Sequence, residues 1–115
     1  MAENKLADLS MRFAVDIVNF CNDSNCSRIL INQLLRSGTS IGANIHEAKY
    51  AHSKADFIVK LQISLKECYE TEYWLELLYQ TGCLEQSQYT ALMNHCGSLR
   101  RILIASINTA KKNNE

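Results

Sequence analysis

Apolar residues recur every three or four positions along almost the whole chain, and no proline interrupts them in 115 residues. That spacing matches the 3.6-residue turn of an α-helix, and no stretch shows the sustained alternation of a half-buried strand. Each helix so patterned must bury its stripe against other helices, which predicts an all-α fold. The last segment carries the cleanest seam. Tyr89, Leu92, Cys96, Leu99, Leu103, Ile107 and Ala110 follow in steps of three and four, the spacing of helices packed side by side.

Three earlier stripes complete the set. Leu6, Leu9, Phe13, Ile17 and Phe20 form the first, which the turn formers of "CNDSNCS" end. Leu30, Leu34, Ile41, Ile45 and Ala48 form the second, widened by Ile31 and Leu35. Phe57, Leu61, Leu65, Cys68, Leu75 and Leu78 form the third. Ser53 followed three residues later by Asp56 resembles a capping box at its start, and Gly82 is the stop. The predicted helices cover residues 4–21, 27–50, 53–81 and 85–112 of a single domain. Short connections make successive helices neighbours, so the architecture expected is an antiparallel up-and-down four-helix bundle.

The segment "LLRSGTSIGANIHEA" places Gly38 and Gly42 within the apolar stripe of the second helix. Each glycine costs about 1 kcal/mol against alanine in a helix interior, and close packing would recover that cost. Antiparallel register with the third helix sets Gly38 beside Ser64 and Leu65, and Gly42 beside Lys60 and Leu61. The two leucines would then fill the notch; a notch facing another subunit is the alternative. A polar line runs alongside, Arg36, Ser40, Asn44 and Glu47, opposite a comparable line of Asp56, Lys60, Ser64, Glu67 and Thr71. These lines read as a solvated face with ion pairs within or between helices, as a buried network that sets register, or as a binding surface.

Motifs of catalysis are absent from the sequence. No Glu-x-x-His pair occurs for a carboxylate-bridged metal bundle, and in "HEAKYAH" the place of a second zinc-ligating histidine is taken by Tyr50. There is no phosphate-binding glycine loop. The five cysteines, Cys21, Cys26, Cys68, Cys83 and Cys96, lack metal-site spacing and read as thiols, with Cys68 and Cys96 acting as small hydrophobes. No enzymatic activity, cofactor or metal is expected. Glu3 and Asp8 stand where a signal peptide would be basic and then apolar, and no stretch reaches the roughly 20 apolar residues of a membrane span. A cytoplasmic protein without membrane contact is therefore expected.

Charge sums to zero but is unevenly placed. Arg28 to Lys66 holds six basic and two acidic residues, whereas Glu67 to Glu85 holds five acids and no Lys or Arg. Arg36, Lys49, Lys54, Arg100 and Arg101 are candidate nucleic-acid contacts. The alternative is that acidic and basic regions meet across helices or between identical subunits, and the lack of aromatics interleaved among these cations favours it. In the third helix, "YETEYWLELLY" adds Tyr69, Tyr73, Trp74 and Leu77 beyond one buried stripe. That extra apolar arc predicts a homo-oligomer interface.

The run from Gln33 to Leu78, with "LLRSGTSIGANIHEA", "DFIVKLQISLKE" and "ETEYWLELL" in order, resembles the bacterial four helix bundle protein family. That family includes proteins encoded in intervening sequences of the 23S ribosomal RNA gene. The resemblance implies an up-and-down bundle assembled as a homopentameric ring, with no catalytic residues. The family is also similar to the accessory protein of diversity-generating retroelements, a basic pentamer that binds nucleic acid, RNA or DNA, and a reverse transcriptase. This chain departs from those accessory proteins in its zero net charge.

Overall fold

The computed structural model describes residues 2–113 and contains four helices: α1 (Ala2–Asp23), α2 (Arg28–Ala48), α3 (Lys54–Gln80) and α4 (Gln86–Lys112). Among the described residues each packs closely against two neighbours, α1 and α3 both lying between α2 and α4 and diagonal to each other. The result is an up-and-down bundle 48 Å long and about 20 Å across, with principal extents of 48 × 21 × 19 Å. Phe13, Ile17, Ile31, Leu34, Ile41, Leu75, Leu99 and Leu103 meet along its axis and are fully buried, as their spacing requires.

The ends of the helices follow from local chemistry. At the start of α3, Ser53 is extended and its Oγ accepts the Asp56 N–H at 3.0 Å. The Asp56 carboxylate accepts the N–H of His52 at 3.3 Å, one residue before the partner of a reciprocal box. At the end of α3 the Cys83 N–H reaches the Leu78 carbonyl at 2.8 Å and the Gly82 N–H reaches Tyr79 at 3.1 Å. This Schellman closure needs a left-handed residue between helix and loop, and Gly82 supplies it at φ 83°. α2 stops at Ala48, two residues before the expected end, because Lys49, Tyr50 and Ala51 bond back to the third preceding carbonyl and tighten into a turn.

The glycine notch opens on a different helix from the one expected. A Cβ at Gly38 would lie 3.0 Å from both γ-carbons of Ile17, and one at Gly42 would lie 3.2 Å from Ser10 Oγ. Both glycines therefore admit α1, not Leu61 and Leu65 of α3. The reason is that α2 has two neighbours and needs two seams, about a third of a turn apart. The seam toward α3 is made by Ser37 and Ile41: Thr71 Oγ1 donates to Ser37 Oγ at 3.0 Å, and Ser64 Oγ donates to the Ile41 carbonyl at 2.9 Å. All three hydroxyl residues are fully buried. Among the described residues no buried side-chain nitrogen or oxygen lacks a partner, as a close-packed interior demands.

The sequence reading of five free thiols is also corrected. Cys26, in the α1–α2 loop, is joined to Cys83, in the α3–α4 loop, by a disulfide with a Cα–Cα distance of 6.0 Å. Both loops lie at the same end of the bundle, so cysteines 57 positions apart in sequence become neighbours. Cys21, Cys68 and Cys96 are free and buried. Burial pushes the Cys21 thiol up to about 11, and contact with Cys68 together with burial pushes the Cys96 thiol up as well. Thiols so held are poor nucleophiles.

Candidate functional site

The polar lines of α2 and α3 become ion pairs at the edge of their seam. Lys60 Nζ lies 2.8 Å from Glu47 Oε1, and Arg36 reaches Glu67 at 3.4 Å and also Glu70. Glu70 in turn accepts the Trp74 indole N–H at 2.9 Å. That hydrogen bond and the one from Arg36 hold the Glu70 carboxyl below the usual carboxylate range. A carboxyl with a lowered folded pKa stabilises the fold above its unfolded pKa and loses that contribution as pH falls through the folded value. The expected result is a bundle whose melting temperature declines on acidification below about pH 5. Glu70→Gln should make that decline shallower by a small margin, since the group is partly exposed; an unchanged acid profile would remove Glu70 from the account.

Two of the five candidate nucleic-acid residues are thus engaged elsewhere. Arg36 is clamped by Glu67 and Glu70, and Arg100 Nε donates to Glu72 Oε2 at 3.2 Å. Glu67, Glu70 and Glu72 of α3 face Arg36 of α2 and Arg100 of α4, so at these pairs the charge halves meet across helices. Lys54 and Arg101 do come together, on the rim of a groove of about 590 Å³ between the start of α3 and the last turns of α4. Lys5 of α1 joins them there, and Phe57, Ile102 and Ala105 line the groove. Sequence reasoning missed Lys5; antiparallel pairing of α1 with α4 was the signal that could have placed it. Lys49 lines a groove of about 660 Å³ between α1 and α2 with Ala7, Met11, Ala14 and Ala43, and its other side meets Phe57 and Ser106 at a small cavity.

The candidate interface residues divide in the same way. Tyr69 and Tyr73 stand in solvent, 51% and 60% exposed, on the side of α3 away from the core. Val59 and Ile63 continue that face. Trp74 and Leu77 are partly buried, Trp74 packing against the core and stacking edge-on with Tyr73 at 5.0 Å. A second exposed apolar patch, Met11 and Val15, lies on α1 at the diagonally opposite corner. Periodicity does not point to it, because Met11 and Val15 fall between the buried positions of the first stripe. Among the described residues no three His, Cys, Asp or Glu side chains gather as a metal site, and no helix is long and apolar enough to cross a membrane.

Comparison with known proteins agrees with the fold. The model of the family described as 23S rRNA-intervening sequence protein matches residues 2–105. Similar to this chain is a crystal structure of a protein of unknown function from the S23 ribosomal protein family of Bacteroides thetaiotaomicron VPI-5482. It is 47% identical, with 94% of this chain and 99% of that one covered and a TM-score of 0.91. No curated protein matches. On the breadth of the family match, the chain belongs to the 23S rRNA-intervening sequence protein family.

Proposed function

We propose that the protein is a non-enzymatic, cytoplasmic scaffold that assembles into a homopentameric ring and serves as an RNA or nucleoprotein adaptor. The observation that carries the assembly is the outward face of α3, where Val59, Ile63, Tyr69 and Tyr73 are all exposed although the helix already buries a complete stripe. Apolar surface of this extent marks protein contacts. A ring requires two different patches that meet head to tail, and the Met11 and Val15 patch on the opposite corner meets that requirement. The count of five comes from the family resemblance.

Light scattering behind size exclusion should find a species of five times the chain mass. Tyr73→Glu and Met11→Glu should each dissociate it to monomers, because each damages one side of every contact. Mixed in equal amounts, the two variants should form a heterodimer, since one good α3 face and one good α1 face remain. A monomeric wild type at micromolar concentration would end this reading, and a mixture that stays monomeric would end its head-to-tail form.

A second reading is favoured by the meeting of Lys5, Lys54 and Arg101 at one groove. In it the bundle is a nucleic-acid-binding accessory protein, a reverse transcriptase partner of the retroelement kind. Unlike the first reading, it predicts retention of single-stranded nucleic acid that weakens steeply with salt.

A further inference from the structure

The groove between α3 and α4 combines features that the sequence keeps apart. Its three cations come from three helices: Lys5 from α1, Lys54 from α3 and Arg101 from α4. Among the described side chains, which begin at Lys5, no carboxylate lies within 4 Å of any of the three, in contrast to Arg36, Lys60 and Arg100, which are all paired. Arg101 donates to the neutral Ser98 hydroxyl at 3.3 Å. Between the cations sits Phe57, partly exposed, one turn along α3 from Lys54. Ile102 and Ala105 extend the apolar floor, and Ser106 and Thr109 supply hydroxyls at its margin.

We propose that this groove binds one nucleotide unit of a single-stranded nucleic acid, its phosphate held among Lys5, Lys54 and Arg101 and its base laid against Phe57. The inference deepens the nucleic-acid reading above and rests on it. Unpaired cations around an apolar floor fit a ligand that is anionic at one end and flat and apolar at the other. An aromatic ring beside a cationic track is the arrangement by which proteins hold single strands without reading sequence, because every base has a stacking face. The volume of about 590 Å³ falls within the range of small-ligand sites and suits one nucleotide with room for its neighbours to pass. Duplex does not fit this chemistry, since its bases are already stacked on one another.

The test is fluorescence anisotropy with a 5′-labelled octauridylate at low salt, run on wild type and variants of unchanged melting temperature and oligomeric state. Lys54→Ala and Arg101→Ala should each weaken binding and flatten the slope of log affinity against log salt by about 0.7. Phe57→Leu should weaken binding roughly 5- to 100-fold without changing that slope, and Phe57→Tyr should restore it. Lys66→Ala, at an exposed position of α3 outside the groove, should have little effect. No binding by wild type overturns the nucleic-acid reading and this inference together. Binding that survives Phe57→Leu, or that falls as much with Lys66→Ala as with Lys54→Ala, overturns the groove alone. Displacement of the octamer by an equal concentration of free uridine monophosphate would overturn a strand as the occupant.

Discussion

Reducing the bond between Cys26 and Cys83 is expected to lower the melting temperature of the bundle by roughly 10–20 °C. The link joins residues 57 apart, and closing a loop of that length removes enough disorder from the unfolded chain to be worth about 4 kcal/mol in the chain-entropy model. For a domain of this size each kcal/mol moves the midpoint by several degrees. The folded contacts around the bond are modest, a Ser24 hydroxyl 3.6 Å from Cys83 Sγ and a Cys26 N–H donating to Ser24 Oγ at 3.2 Å. Most of the effect should therefore arise in the unfolded state. The Cys26→Ser and Cys83→Ser double variant should melt like the reduced protein, with or without reductant. Five alkylatable thiols in unfolded protein that has never met a reductant, or equal midpoints in both redox states, would dismiss the link. Because cytoplasmic thiols are ordinarily kept reduced, the redox state of this pair in cells also reports on the expected compartment.

The second large effect concerns the notch. Gly38→Leu is expected to cost about 3 kcal/mol or more, because the added side chain must displace Ile17 from a site where it has no exposure and no exit. Gly38→Ala is a finer probe. Its gain in helix propensity, about 1 kcal/mol, is set against a Cβ 3.0 Å from two carbons of Ile17, and the contact should win slightly. Gly42→Ala meets the Ser10 hydroxyl at 3.2 Å, with the Ser10 Cβ and carbonyl oxygen at 3.4 and 3.5 Å, ordinary contact distances, so this change should fall between neutral and stabilising by about 1 kcal/mol. Urea midpoints with unchanged slope would read all three. Because Ile17 is the atom group in the way, Ile17→Ala should interact with Gly38→Leu and return part of the loss, a non-additivity expected only of residues in contact. A Gly38→Leu protein as stable as wild type would show that the α1–α2 seam is not close-packed.

Much of the fold was legible because every helix carries its stripe, and α1 and α3 also carry their stops. Ser53 and Gly82 bracket α3 almost to the residue, and the steps of three and four in α4 name its buried side. What periodicity could not convey is which neighbour a buried residue faces. Gly38 and Ser37 are adjacent in sequence and both buried, yet one meets α1 and the other α3, and only the cyclic order of helices decides that. The disulfide was hidden for a related reason, since its cysteines lie in two loops that are joined by nothing but the geometry of the bundle. Among the cations, sequence put Arg36 and Arg100 on equal footing with Lys54 and Arg101. They differ because Glu67, Glu70 and Glu72 come beside the first two, while Lys5 and Phe57 come beside the others.

The loop-to-loop link also changes what the chain is when seen from its ends. α2 and α3 lie inside the covalent ring closed by Cys26 and Cys83, while α1 and α4 are the two tails that leave it. A load applied between the termini would draw out only the tails. About 200 Å of contour, that of the 57 enclosed steps at roughly 3.5 Å each, would stay hidden until the bond is reduced. Under tension the oxidised protein would thus behave as a shorter tether than its sequence, and the buried hydroxyl seam between α2 and α3 would be the last part of the bundle to feel the pull.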